Sequence, residues 1–208
     1  MINLRLGDCL DVLRGMPDGS VDAVVTDPPF TGLEAILERL RESFRLLRPT
    51  GVAYVLLDYH IVHHIAVELD KLLPLENEIV WKVGWVSGFR AHTTSKWVVN
   101  HNTILQFGRP TYFQLPKRIP KSKHRTGSHA PTHPVAFDTV WDDLPSVRQM
   151  SFVSNKSGHP YEKPVSLMER LVSSSVPEAG IVLDPLHGFG HNRRSVRQNR
   201  TLIHRHRD

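Results

Sequence analysis

One cysteine among 208 residues excludes an intrachain disulfide. No apolar run approaches the ~20 residues of a membrane-spanning helix, so no membrane partner is expected. The opening residues, Met1 to Arg5, enter a strand-like segment directly and show none of the layout of a signal peptide. Metal ligation is poorly supplied as well. Asp58, His60, His63 and His64 lie close together, but no thiol or further acidic ligand set accompanies them, and a helix entry with an exposed polar face accounts for them better. What remains is ordinary globular material, 40% hydrophobic and 23% charged, of a size suited to one domain over residues 1–208. The formal charge of +5 favours a polyanionic partner.

Apolar runs alternate with amphipathic segments. Residues 2–6, Val21 to Val25, Val52 to Leu57, Glu78 to Lys82 and Val98 to Phe107 read as strands. Leu33, Ile36, Leu37, Leu40, Phe44 and Leu47 fall at helical spacing and predict a helix over 33–47, ended by Arg48-Pro49-Thr50-Gly51. Further helices are expected over 60–72 and 165–172, the latter with Pro164 suited to its first turn. This alternation points to an α/β fold, a mostly parallel central sheet with helices on both faces.

The second strand stops abruptly at Asp27-Pro28-Pro29-Phe30. Two prolines fix φ and lack N–H groups, so they cannot extend a ladder. A carboxylate, a carbonyl-rich turn and an aromatic ring are thus held at a strand's C-terminal end, where open α/β sheets bind ligands. A planar ring bearing an amino group can stack on Phe30 while the amino group donates to Asp27 and to the Pro28 carbonyl. The plainer alternative is a Pro-Pro turn that merely ends a strand.

Other stretches accompany this one in a fixed order. Leu6-Gly7-Asp8-Cys9-Leu10-Asp11 and Pro17-Asp18-Gly19-Ser20 precede it; His159-Pro160-Tyr161-Glu162-Lys163-Pro164 and Val182-Leu183-Asp184-Pro185 follow. Together they resemble the permuted, or β, group of amino-group DNA methyltransferases, in which the catalytic motif precedes the cofactor motif. The resemblance implies a Rossmann-like class I methyltransferase fold, circularly permuted, with S-adenosylmethionine as cofactor and no metal. It implies that Asp27, Pro28, Pro29 and Phe30 are catalytic, and that Asp8 and the Cys9 backbone contact the cofactor's adenine. His159, Lys163 and Pro164 would border its methionine portion; a helix start with a lysine nearby also favours a carboxylate on physical grounds. Asp8 serves equally as a helix cap, and Cys9 as a small buried residue. Cytosine-N4 members of the family more often have Ser where this chain has Asp27, so the resemblance implies adenine N6, with cytosine N4 as the alternative. The resemblance is compatible with a homodimer, a paired restriction endonuclease and a cytoplasmic location in a prokaryote or phage.

Two stretches suit nucleic acid. Residues 83–97 mix glycines, aromatics and cations, as does a loop bordering a flipped base; a surface loop pinned by its tryptophans fits as well. Within 111–140, Lys117, Arg118, Lys121, Lys123 and Arg125 put five cations in nine residues. Such a loop suits the phosphates of double-stranded DNA or is simply solvated. In the family, target recognition lies in this part of the chain.

The cofactor end departs from the family pattern. Gly188 and Gly190 follow Asp184-Pro185, so close backbone approach to a ligand is retained. The small hydroxyl residues usual here are replaced by Phe189, His191 and Asn192. Residues 187–208 hold ten Arg or His among 22, and no apolar helix pattern precedes Arg200-Thr201-Leu202-Ile203, which resembles the next strand. Two readings stand: a divergent, working methyltransferase, or a non-catalytic DNA-binding protein on a degenerate scaffold.

Overall fold

The computed structural model describes residues 2–29, 32–83, 97–118, 135–145, 163–187 and 200–205. Ten strands and four helices are present among them. In chain order they are β1 (Ile2–Leu6), α1 (Cys9–Arg14), β2 (Val21–Thr26), α2 (Leu33–Arg45), β3 (Leu47–Leu57), α3 (Val62–Asp70), β4 (Leu75–Lys82), β5 (His101–Phe107), β6 (Lys117–Arg118), β7 (Val135–Ala136), β8 (Val140–Trp141), α4 (Val165–Ser175), β9 (Ile181–His187) and β10 (Arg200–Arg205).

Eight strands form one sheet in the order β1-β10-β9-β2-β3-β5-β4-β8, and β6 pairs with β7 separately. The centre, β9-β2-β3, is parallel: Val24 lies opposite Leu183 on one side and Ala53 on the other. Six of the eight strands run in one direction, and only β10 and β5 oppose them. The expected α/β class and mostly parallel sheet are therefore present.

The period-2 alternation of the apolar runs divides the core in two. On one face Val24, Ala53, Val55, Leu57, Leu105, Phe107 and Leu183 meet α1, α2 and α3 through Leu13, Ile36, Leu37, Leu40, Phe44, Ile65 and Leu69. On the other, Ala23, Val25, Val52, Tyr54, Leu56, Ile104 and Val182 meet Leu167 and Leu171 of α4 and Trp141 of β8. Helices thus cover both faces, and the strands between them are apolar almost throughout.

Several boundaries differ from expectation. β3 begins at Leu47, because Val21 of β2 pairs with Leu47 before a register shift. The Pro49-Thr50-Gly51 segment is thereby absorbed into the strand. α4 runs three residues longer than its apolar pattern, to Ser175. Its last turn holds Ser174 and Ser175, whose hydroxyls both donate to the Leu171 carbonyl and so are satisfied while buried. The chain then turns at Gly180, where a Cβ would stand 2.6 Å from Val176 Cγ1 and 2.9 Å from the Pro177 carbonyl; only glycine admits so close a return into β9. The strand after β9 is present, but β10 runs antiparallel to it, His204 pairing with Val182.

Candidate active site

The topology singles out one place. From β2 the chain moves to β3 on one side; from β9 it moves to β10 on the other. The crevice beyond the C-terminal ends of β2 and β9 is therefore a switch point, the usual ligand site of such sheets. Asp27-Pro28-Pro29 leaves β2 here, and Asp184-Pro185 lies in the facing strand β9.

Thr26, the last residue of β2, is fully buried, and its hydroxyl donates to Asp184 Oδ1 at 3.1 Å. The Leu186 N–H donates to the same oxygen at 3.2 Å. These bonds set the Asp184 side chain across the gap between the two strands. Nothing in the sequence singled out Thr26; its signal is a hydroxyl at an otherwise apolar position next to Asp27.

Lys163 and Pro164 lead into α4, which packs against β2 on the second face. Pro164 is buried, and α4 carries no side-chain cap at its N-terminus. The Lys163 ammonium donates to Asp27 Oδ2 as an ion pair, with the lysine side chain 12% exposed and the aspartate 41%. Three stretches distant in sequence thus converge at one edge: Asp27 with its prolines, Asp184 with Pro185, and Lys163 with Pro164.

Asp8 lies at the same edge of the sheet. It follows β1, which runs parallel to β9 and two strand positions away, about 10 Å at ordinary spacing. It caps α1, accepting from the Leu10 N–H at 2.8 Å. Cys9 is buried and accepts from Arg39 Nε at 3.2 Å. Burial pushes its thiol above the ordinary value, and the Arg39 guanidinium offsets this only in part.

The residues expected to contact DNA are less fully described. Lys117 is exposed on β6, paired with Ala136. The segment before it is held at the far end of α4, where the Gln114 N–H donates to the Ser174 carbonyl at 2.7 Å. Trp97 is 96% exposed. Phe30, residues 84–96, Lys121, Lys123, Arg125, His159, Gly188 and Gly190 lie outside the described residues, as do the side chains of Arg118 and of β10. Among the described residues no cluster of three or more His, Cys, Asp or Glu suits a metal ion, and no helix is long and apolar enough to cross a membrane. Asp58 instead orders the entry to α3, accepting from the His60 N–H at 3.0 Å.

Comparison with known proteins gives the family and the fold. Type II methyltransferase M.HpaI of Haemophilus parainfluenzae is 25% identical over 90% of this chain and 64% of its own length. M.BglII of Bacillus subtilis is 26% identical over 88% of this chain and 59% of its own. The chain therefore spans under two thirds of either relative. Among solved structures, TTHA0409 of Thermus thermophilus, complexed with S-adenosyl-L-methionine, matches with a TM-score of 0.57 at 25% identity, over 86% of this chain and 78% of that one. The fold is the Rossmann-like fold of class I methyltransferases. A family model described as DNA methylase matches residues 21–194, a span holding both the Asp27-Pro28-Pro29 turn and Asp184-Pro185 of β9, and the chain belongs to that family.

Proposed function

We propose that the protein transfers a methyl group from S-adenosylmethionine to the exocyclic amino group of a base in double-stranded DNA, with adenine N6 as the target. The observation that carries this reading is the convergence of Asp27-Pro28-Pro29, leaving the C-terminal end of β2, with Asp184 of the adjacent parallel strand β9 and with Lys163, which pairs with Asp27.

The donor set fits the cofactor. An ammonium at an uncapped helix start suits the carboxylate of an amino acid. Asp184, held across the two strands, and Asp8, at the same edge, are the carboxylates available to an adenosine. When bound, S-adenosylmethionine supplies an electrophilic methyl group. The protein's task is then to present the base. The target nucleotide is flipped from the duplex. Phe30 stacks on it, while Asp27 and the Pro28 carbonyl accept its amino hydrogens and orient the nitrogen lone pair. Catalysis comes from this positioning and from carboxylate charge beside a nitrogen that turns positive as the bond forms. Asp27 need not deprotonate the neutral amine beforehand.

Lys117, Arg118, Lys121, Lys123 and Arg125 are assigned to phosphate contacts, and residues 83–97 to the border of the base pocket. One domain over residues 1–208, permuted motif order and cytoplasmic location complete the reading. A homodimer and a cognate restriction endonuclease are compatible with it.

The test is methyl transfer from labelled S-adenosylmethionine to duplex DNA. Asp27→Ala is expected to abolish transfer while leaving the thermal unfolding of the protein intact; retained turnover would remove Asp27 from its role. The antiparallel β10 favours a second reading, DNA binding without catalysis on an altered cofactor half. That reading requires salt-dependent DNA binding by a folded protein that takes up no cofactor.

A further inference from the structure

Lys163 faces two demands that conflict. As a cofactor residue its ammonium is needed by a carboxylate at the start of α4. In the structure it instead holds Asp27 Oδ2. An ammonium fixed there opposes the reaction twice: it occupies an oxygen that the target amino group requires, and it places positive charge beside a nitrogen that becomes positive during transfer.

Resting on the methyltransferase reading, we infer that Lys163 is an exchangeable positioning residue. It pairs with Asp27 Oδ2 and passes to the cofactor's carboxylate on binding, which withdraws the ammonium from the carboxylate that is to accept the base. The side chain permits the exchange. Lysine is a point charge on four flexible carbons and holds no fixed bidentate geometry. Asp27 is two-fifths exposed, so water can reach the carboxylate as the ammonium leaves. Lys163 directly precedes the buried Pro164 at the start of α4, so it stands next to the helix end as well as to Asp27. The consequence is order: the site accepts a base productively only when cofactor is already present.

The exchange predicts a particular coupling, measured by calorimetry on the full chain without DNA. The probes are S-adenosylhomocysteine, which carries the amino-acid carboxylate but no sulfonium charge, and 5′-methylthioadenosine, which lacks the amino-acid group. Asp27→Asn removes the competitor, so S-adenosylhomocysteine should bind roughly two- to fivefold tighter, while 5′-methylthioadenosine is unchanged. Lys163→Met should weaken S-adenosylhomocysteine by roughly tenfold or more, and in that background Asp27→Asn should have no further effect. Lys163→Arg should restore most of the affinity. Unchanged or weaker S-adenosylhomocysteine binding by Asp27→Asn overturns the exchange. Equal tightening of both probes also overturns it, since the effect would then be general to the cleft. If the folded wild-type protein binds neither probe, the methyltransferase reading fails, and the exchange falls with it.

Discussion

Asp8 shows how one side chain can satisfy two readings. Its Oδ1 caps α1, and its position after β1 puts it at the candidate site. Substitution separates the roles. Asp8→Ala removes the cap and should cost about 1 kcal/mol of stability. Asn caps as well as Asp, so Asp8→Asn should leave the urea midpoint within error of wild type. If the carboxylate also contacts the cofactor's adenine, Asp8→Asn alone should weaken cofactor binding; unchanged affinity would leave Asp8 as a cap only. At this scale the site was partly legible. Asp27, Asp184 and Lys163 stand out in sequence because prolines follow each of them, and proline punctuates strand and helix ends. Thr26 was not legible, because its burial and its bond to Asp184 depend on β9, which lies 158 residues away in sequence. The Lys163–Asp27 pair was hidden for the same reason: both residues were read as functional, but nothing local joins them.

Elements with a strong period were the most legible. The apolar stripe of α2 marks its face, and the structure trims only its end, to Arg45. Residues 111–140 lacked such a pattern, yet they contain β6, β7 and the start of β8. Those strands are two residues long and are held by their surroundings rather than by propensity. Arg170 of α4 supplies much of that support. Its guanidinium grips Asp143 through two bonds, at 3.0 and 2.6 Å, and lies over the rings of Phe137 at 4.2 Å and Trp141 at 4.9 Å. The arginine side chain is 13% exposed, so these contacts are partly desolvated. Arg170→Ala should destabilise the protein by about 2 kcal/mol. Arg170→Lys should recover little, because lysine lacks the planar fork. Amide exchange should accelerate first at Thr139, Val140 and Trp141, where β8 joins β4. Uniform acceleration across the sheet would mean that Arg170 supports the fold at large rather than this flap.

At the scale of the molecule, the parallel centre was readable and the edge was not. Buried strands in a parallel sheet are apolar on both faces, as β2, β3 and β9 are. Strand pattern, however, carries no direction. Whether a strand returns parallel or antiparallel depends on its connection, and a parallel return needs a crossover packed on the sheet. The sequence after β9 is cationic and lacks an apolar stripe, in keeping with an antiparallel β10. Beyond β10 lies β1, with Ile2, Leu4 and Leu6 all at least half exposed. The molecule's alkaline limit is set partly inside the core away from that edge.

Burial raises the Cys9 thiol above 9.0 and the Tyr54 phenol above 10.0, and in each case the neighbouring hydrogen bonds oppose burial without cancelling it. Both groups are neutral when protonated, so the folded protein holds these two protons more tightly than the unfolded chain does. Their contribution to stability is fully present below the unfolded values and is lost as pH rises through the folded ones. Stability from urea unfolding should accordingly be insensitive to these groups at pH 7–8 and fall from about pH 9 upward. Cys9→Ala should remove the earlier part of that fall and Tyr54→Phe the later part, and the double variant should be nearly flat with respect to both. Alkylation offers a separate check on Cys9: iodoacetamide at pH 8 should react slowly with the folded protein and fully in urea. Rapid alkylation of the folded protein would mean that the contact between α1 and α2 opens readily, and the alkaline slope should then survive the Cys9→Ala substitution.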